Sequence, residues 1–163
     1  MATTGATTAP ALPAFGHAPF SGTFRMKLPA NGRVVLPATL RKAFAELGKV
    51  RPVEGRFLNL WTPLAFDLTV ATAIASAGPG LVSPRTRKRL YASATDVSVD
   101  SQGRLVLAKE LRDAVGIGAD EEIVVAGAIE AIEIWSADRY DEEELPTMSD
   151  ADLFLGNFGG LET

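Results

Sequence analysis

The sequence contains no cysteine and only one histidine, His17. Disulfide bonds and zinc sites built on thiolates are therefore excluded, and one histidine cannot form a histidine metal cluster. The chain also offers no nucleophile paired with a base and no glycine-rich phosphate-binding loop. We therefore predict that the protein is not an enzyme and has no cofactor, no metal ion and no small-molecule substrate.

Long apolar runs are also missing. No stretch approaches the roughly 18 residues that a helix needs to cross a bilayer. Residues 1–24 contain no lysine or arginine, so a signal peptide with a basic start is not indicated. Together with the lack of cysteine, this pattern predicts a cytoplasmic protein without a membrane partner.

Charge is distributed unevenly along the chain. Residues 1–95 carry 12 basic and 3 acidic side chains, whereas residues 96–163 carry 4 basic and 17 acidic ones. The net charge of −4 does not exclude nucleic acid, because the local field decides what binds. The asymmetry predicts one face that binds anions and another that repels them or binds a protein partner.

One unit of the sequence occurs twice. Three pieces match in order, which are 32–36 with 103–107, 40–41 with 111–112, and 57–61 with 131–135. Each copy has the pattern of a strand, a turn, a second strand, a short helix, two more strands and a helix. Thr62 and Ser136 follow the two matching tryptophans and are suitable N-caps for the last helix. An internal repeat of this kind decides the fold class.

The turn of the second copy contains Asp100, Gly103 and Arg104. Gly103 permits a positive φ, and Arg104 follows it directly. Asp100 lies four residues before Arg104 and can hold the guanidinium by a charge-assisted bond. An arginine oriented in this way can contact a phosphate or a guanine edge. The alternative from this stretch alone is a hairpin with an ordinary surface salt bridge.

The turn of the first copy contains Asn31-Gly32 and Arg33, but Pro29 occupies the place of Asp100. Without a carboxylate at that place, we expect Arg33 to be more mobile than Arg104. Phe24, Met26 and Leu28 alternate with Arg25 and Lys27 in the strand before this turn, so its exposed face should be basic.

The densest basic cluster follows Ser83-Pro84, which should begin a short helix. Its members are Arg85, Arg87, Lys88 and Arg89. The cluster is a candidate phosphate-binding patch, and a solvated connecting helix is the alternative. Leu40, Ala43, Phe44 and Leu47 have helical spacing earlier in the chain, which predicts a helix that stops near Gly48.

The pattern divides the chain into five parts. We predict a disordered arm at 1–19, a first repeat with its helix at 20–76, and a basic connecting segment at 77–91. A second repeat with its helix follows at 92–145, and a C-terminal tail occupies 146–163. Apolar residues between Leu153 and Phe158 suggest that the tail docks on this subunit or on a neighbouring one.

The chain resembles the MraZ family of bacterial transcriptional regulators, which are encoded at the head of division and cell-wall gene clusters. The resemblance covers about residues 20–140. It rests on 20–22 with Leu28 and Gly32-Arg33, on 93–95 with 99–104, and on 132–136 with Arg139-Tyr140. The family fold implies an α+β, mainly β protein, with two tandem AbrB-like swapped-hairpin half-barrels that form a pseudo-dimeric barrel with peripheral helices.

The resemblance also implies a function. Such subunits associate into rings and bind promoter repeats in double-stranded DNA through an Asp-x-x-x-Arg motif. The motif maps fully onto Asp100 and Arg104, whereas only Arg33 is present in the first copy. We therefore expect a ring-shaped, sequence-specific regulator of division and cell-wall genes, associated with the nucleoid. Arg25, Lys27 and the basic cluster at 85–89 would add phosphate contacts.

A second hypothesis comes from another class of protein. The chain could be an oligomeric scaffold or protein-partner module with weak or no DNA binding. Pro29, Asp96 and the acidic second half favour this interpretation. An antitoxin-like role is a variant of it, and the tail would then bind the toxin.

Overall fold

The computed structural model describes residues 15–78 and 80–143 of the 163-residue chain. The elements in chain order are β1 (Thr23–Lys27), β2 (Arg33–Val35), α1 (Ala38–Arg41), β3 (Leu47–Val53), β4 (Phe57–Trp61), α2 (Pro63–Ala77), α3 (Pro84–Ala92), β5 (Thr95–Ser98), β6 (Arg104–Val106), α4 (Lys109–Ala114), β7 (Glu122–Ala128), β8 (Ala131–Ser136) and α5 (Ala137–Glu143). These elements confirm the α+β, mainly β class. The predicted tail and positions 1–14 of the predicted arm lie outside the described residues.

The main sheet interleaves the two copies of the repeat. Its six antiparallel strands have the order β1-β7-β8-β4-β3-β5. β1 belongs to the first copy but pairs with β7 of the second, and β5 of the second copy pairs with β3 of the first. β4 and β8 join the two halves at the centre. Each copy therefore completes its sheet with the first strand of the other.

The remaining strands, β2 and β6, form a separate two-stranded antiparallel ribbon. The turn signals predict that each turn closes a local hairpin, with β1 paired to β2 and β5 to β6. The structure pairs all four strands across the copies instead. Because β2 and β6 leave the main sheet to pair with each other, β1 and β5 remain its edges. Within the described residues the sheet does not close into the expected barrel.

The largest hydrophobic core lies between the ribbon and one face of the main sheet. Val34 and Leu105 point into it from the ribbon, and Leu36 and Leu107 follow them along the chain. All four side chains are at most 2% exposed. Burial of a side chain of this size stabilises the fold by roughly 1.5–3 kcal/mol. The ribbon is therefore anchored to the sheet by equivalent residues from both copies.

The opposite face of the main sheet is covered by helices. Strand residues alternate between the two faces, so Leu60 lies in the large core while its neighbour Trp61 packs with Phe66 of α2. Leu90 of α3 joins the Trp61 cluster. Trp135 of β8 packs on the same side of the sheet, with Tyr140 of α5. The ribbon and the helices α2, α3 and α5 thus occupy opposite faces.

Local boundaries agree with most of the sequence patterns. Thr62 accepts the capping hydrogen bond of α2, and Ser136 accepts one from the Arg139 N–H at the start of α5, as their positions after the two tryptophans predict. The prediction that the first helix extends to Gly48 is wrong, because α1 ends at Arg41. Gly48 belongs to β3, where an added Cβ would lie 2.7 Å from the Leu60 side chain. The pairing of β3 with β4 and β5 therefore overrides the helical spacing.

Candidate nucleic-acid interface

The turn before β6 is organised by the Asp100 carboxylate. Oδ1 accepts hydrogen bonds from the backbone N–H groups of Gln102 and Arg104, both at 2.9 Å. Oδ2 accepts a bond from Arg104 Nε at 2.6 Å. One side chain therefore holds both the backbone of the turn and the guanidinium that follows it. This geometry confirms that Asp100 reaches Arg104 across the turn.

These bonds also stabilise the charged form of Asp100. The pKa of its carboxyl lies below the ordinary value, chiefly because the Arg104 backbone N–H donates to it. The Arg104 side chain and the Gln102 N–H act in the same direction. Asp100 is therefore a carboxylate at neutral pH, as the contact with Arg104 requires.

The turn before β2 has a similar backbone but lacks that carboxylate. Asn31 Oδ1 accepts a hydrogen bond from the Arg33 N–H at 3.0 Å, which replaces one of the Asp100 bonds. Within the described residues, the Arg33 guanidinium has no hydrogen bond or ion pair. Arg33 is exposed and lacks the side-chain contact that holds Arg104, and its greater mobility stays a prediction.

The ribbon brings the two arginines onto one surface. In its register Arg33 lies opposite Val106, and Val35 lies opposite Arg104. Residues two apart on a strand share a face, and so do residues directly opposite each other. Arg33, Val35, Arg104 and Val106 therefore form one outward face, which we call the ribbon face. All four are exposed, whereas Val34 and Leu105 between them are buried.

Each turn is tied to the chain of the other copy by backbone hydrogen bonds. Leu36 N–H donates to the Gly103 carbonyl, and Leu107 N–H donates to the Gly32 carbonyl, both at 2.9 Å. Gly32 and Gly103 both have φ of 77°. An added Cβ on Gly32 would lie 2.5 Å from the Leu107 oxygen. Glycine is therefore required in the first turn both by its φ and by the close approach of the other chain segment.

Two further arginines brace this region, and sequence reasoning does not assign them that role. Arg41 Nη1 donates to the Gln102 carbonyl at 2.8 Å, so α1 supports the turn of the other copy. Its counterpart Arg112 donates through Nε to the Leu107 carbonyl at 3.1 Å. The signal is present in the sequence, because Leu40-Arg41 and Leu111-Arg112 match in the repeat. From the sequence alone, Arg41 is a candidate phosphate contact or part of a solvated helix face.

A groove of about 500 Å³ runs beside the ribbon. Arg33 and Arg104 both line it, together with Asp96 and Asp100. Asp96 forms an ion pair with Lys49 of the neighbouring strand. No group of His, Asp or Glu in the described residues is arranged to hold a metal ion. The cations that line the groove are the two arginines of the ribbon face.

The structure separates Arg25 from the ribbon face. Arg25 lies on the helix-covered side of β1, where its guanidinium pairs with Glu122 at 3.0 Å and with Asp141 of α5. Both carboxylates raise the pKa of Arg25, with the Asp141 hydrogen bond as the larger cause. Lys27 is exposed at the end of the same strand. A role for Arg25 or Lys27 in binding DNA stays a prediction.

The basic cluster of α3 is also remote from the ribbon face. Its four members are exposed, and they are Arg85, Arg87, Lys88 and Arg89. The helix packs through Leu90 on the sheet face opposite the ribbon. One rigid duplex lying on the ribbon face would therefore not meet this cluster on the same subunit.

Comparison with known proteins points to one family. The family model described as "MraZ protein, putative antitoxin-like" matches residues 90–151, which contain the second turn and β7–β8.

Within the described residues, no helix is both long enough and apolar enough to cross a membrane.

Curated relatives cover most of the chain. A protein of Symbiobacterium thermophilum named transcriptional regulator MraZ is 34% identical over 122 residues, which are 74% of this chain and 86% of the relative. A protein of the same name from Saccharopolyspora erythraea is 36% identical, over 77% of this chain and 89% of the relative. A third, from Corynebacterium jeikeium, is 34% identical, over 82% and 94% respectively.

Proposed function

The chain belongs to the MraZ family, and from this premise we propose that it regulates transcription by binding double-stranded DNA through the ribbon face. Arg33 and Arg104 are the residues that contact base edges in this proposal. Asp100 acts as a positioning residue for Arg104. No catalytic step, cofactor or small-molecule substrate is part of the proposal.

The observation that carries the proposal is the shared orientation of Arg33 and Arg104. Both lie on the exposed face of one two-stranded antiparallel ribbon, two rungs apart. The major groove of B-DNA admits such a ribbon, and arginine is the side chain that most often reads guanine there.

The number of such contacts in one chain supports an oligomer. Each bidentate contact between arginine and guanine contributes about 1–3 kcal/mol of discrimination. Two contacts are few for a specific regulator, and several subunits bound to repeated sites would add their contacts together. We propose a ring of subunits whose ribbon faces meet successive promoter repeats. The division and cell-wall genes that the resemblance implies are the proposed targets, and the nucleoid is the proposed location.

The remaining cations supply the part of the affinity that depends on salt. Lys27, Arg25 and the basic cluster of α3 would contact phosphates or a second DNA segment rather than the bases under the ribbon. Because Arg25 already pairs with Glu122 and Asp141, it should contribute least.

The test compares the wild-type chain with the Arg33→Ala/Arg104→Ala variant. Binding to a duplex selected by the wild-type chain from a random library is measured by fluorescence anisotropy across a salt series. We expect the double variant to lose discrimination between the selected and a scrambled duplex. Lys88→Ala is the control, because Lys88 lies on α3, remote from the ribbon face, so this variant should keep the discrimination between the two duplexes. Equal binding by wild type and the double variant would rule out the ribbon face as the reader.

A second candidate, an oligomeric scaffold or antitoxin-like partner module, is favoured by one observation. Several cations already have acidic partners, as Arg56 does with Glu143 and Lys49 with Asp96. Such pairs lower the positive potential that attracts DNA. If the wild-type chain binds neither duplex even at low salt, this candidate replaces the regulator.

A further inference from the structure

Two valines share the ribbon face with the arginines, although they are apolar and exposed. Val35 is 49% exposed and Val106 is 53% exposed, whereas Val34 and Leu105 on the inner side are 1% and 2% exposed. The two valine side chains do not pack in the core, and they occupy equivalent places in the two copies. A surface that only attracted phosphates would gain nothing from them.

We infer that Val35 and Val106 read thymine by contact with its 5-methyl group. This inference rests on the proposed function, because it requires the ribbon face to enter the major groove. The thymine methyl is the apolar group that bases present in that groove, and aliphatic side chains recognise it by contact. The arginines and valines together would then recognise guanine and thymine in one short site.

The spacing of the ribbon fits this inference. An antiparallel strand rises about 3.4 Å per residue, so Arg33 and Val35 stand roughly 6.8 Å apart along β2. DNA advances about 3.4 Å per nucleotide along one strand, and that separation equals about two base-pair steps. Val106 lies directly opposite Arg33, about 5 Å away across the ribbon. The recognised thymines therefore fall within about two base pairs of the guanines that Arg33 and Arg104 contact.

A protein partner fits the same surface less well. To cover Val35 and Val106 it would also have to bury the guanidinium of Arg33 and supply a carboxylate for it, because Arg33 has no acidic partner within the described residues. Burying an unpaired charge is costly. In the major groove the same guanidinium finds guanine acceptors, so the apolar and the charged side chains are both satisfied.

The experiment removes the methyl groups from the DNA. The full chain first selects a duplex from a random library. Each thymine of that duplex is then replaced in turn by deoxyuridine, which keeps base pairing and lacks only the methyl group. We expect one or two of these probes to bind about fourfold more weakly, the effect of losing one buried methyl group. Those thymines should lie within two base pairs of a guanine that Arg33 or Arg104 recognises.

Protein variants link the methyl group to a residue. Val106→Ala should lose about fourfold on the selected duplex and then be insensitive to deoxyuridine at one position. Val35→Ala should be insensitive at another. Val106→Thr keeps the branched shape and one methyl group, so it should respond to deoxyuridine as wild type does. Leu81→Ala is the control, because Leu81 is 77% exposed in the segment between α2 and α3.

The outcomes separate this inference from the proposed function. If deoxyuridine has no effect at any position, or weakens wild type and both valine variants by equal factors, the valines do not read thymine. If Val106→Ala instead lowers the oligomer mass in light scattering, the valines face another subunit, and the inference is overturned. If the Arg33→Ala/Arg104→Ala variant discriminates between the duplexes as wild type does, the proposed function itself is ruled out, whatever the deoxyuridine probes show.

Discussion

The turns that precede β2 and β6 share a backbone and differ in how they hold an arginine. Gly32 N–H donates to the Pro29 carbonyl and Gly103 N–H to the Asp100 carbonyl, both at 2.9 Å, and both glycines have φ of 77°. Yet the Arg104 guanidinium is bonded to Asp100, whereas the first turn has only Asn31, which bonds to backbone. The backbone conformation therefore depends on glycine, and the orientation of the arginine depends on the residue four places earlier.

One ribbon face can therefore contain a preorganised and a free arginine. Free arginine loses up to about 2 kcal/mol of side-chain conformational entropy when it is fixed in a contact. Arg104 has lost part of that freedom before any partner binds, because Asp100 holds it. The two copies therefore present an arginine at the same place with different conformational freedom. The core beneath both arginines is built from equivalent residues of the two copies.

The largest effect we predict concerns that core, where the two copies should be equal. Leu36→Ala and Leu107→Ala remove equivalent side chains that are both 0% exposed. Each should lower the free energy of unfolding by about 2–5 kcal/mol, through lost burial and the cavity that remains. Urea unfolding followed by circular dichroism measures both. Val106→Ala is the exposed control and should change stability little.

A clear inequality between the two leucine variants would contradict the symmetry of the core. It would mean that one turn is anchored to the sheet more weakly than the pairing of the ribbon indicates. The difference between Arg33 and Arg104 would then arise from the core as well as from Pro29.

The second prediction concerns the arginines, where the two copies should differ. Arg104→Ala should cost about 1–3 kcal/mol of discrimination between the selected and the scrambled duplex. Arg33→Ala should cost about 1 kcal/mol less, because the free side chain spends more entropy on its contact. Anisotropy titrations at one salt concentration measure both. Equal costs would show that the Asp100 contact does not preorganise Arg104 for binding.

The third prediction makes the first turn resemble the second. Pro29→Asp places a carboxylate where Asp100 stands in the other copy, on a turn with the same backbone bond and the same glycine φ. The new carboxylate should bond to the Arg33 side chain. Specific binding should become about threefold stronger, because Arg33 then loses part of its conformational entropy before DNA binds. Pro29→Ala is the matched control, since it removes the proline ring without adding a carboxylate.

The result is informative in either direction. Stronger binding by Pro29→Ala as well would assign the effect to the proline ring rather than to the missing carboxylate. Weaker binding by Pro29→Asp would show that the added negative charge repels DNA more than it orders Arg33.

Much of the fold and of the candidate site could be predicted from the sequence, because these features depend on short-range patterns. The repeat is visible when the two copies are compared directly. The glycines of both turns, the caps at Thr62 and Ser136, and the bond from Arg104 to Asp100 each depend on residues that lie close together in the chain. Each follows from backbone or hydrogen-bonding rules that act locally. The difference between Pro29 and Asp100 is predictable for the same reason, because it concerns a single position of the repeat.

The parts that could not be predicted depend on residues far apart in the chain. The pattern of β1 predicts an open basic face around Arg25, but Glu122 and Asp141 reach it from β7 and α5. Leu40, Ala43, Phe44 and Leu47 have helical spacing, but Leu47 forms part of β3, because β5 of the other copy pairs with it. Local periodicity cannot indicate which distant strand or carboxylate arrives. The exposure of the ribbon-face valines is equally hidden from the sequence, because it depends on the pairing of β2 with β6.

The smallest effect we predict is a pH dependence confined to acid. The Asp100 pKa lies below the ordinary aspartate value of 3.8, so its bonds favour folding above that value. That contribution is lost as the pH falls through the lowered pKa of the folded chain, and specific binding should not vary between about pH 6 and 8 on its account. The carboxyl ¹³C shift of Asp100, followed by NMR, should give a midpoint below 3.8.

Arg104→Ala should raise this midpoint only in part, because the backbone N–H groups of residues 102 and 104 still donate to Asp100. In Pro29→Asp the new carboxyl should also titrate below 3.8 if it holds Arg33, and a midpoint at or above 3.8 would mean that the first turn cannot be given the contact of the second.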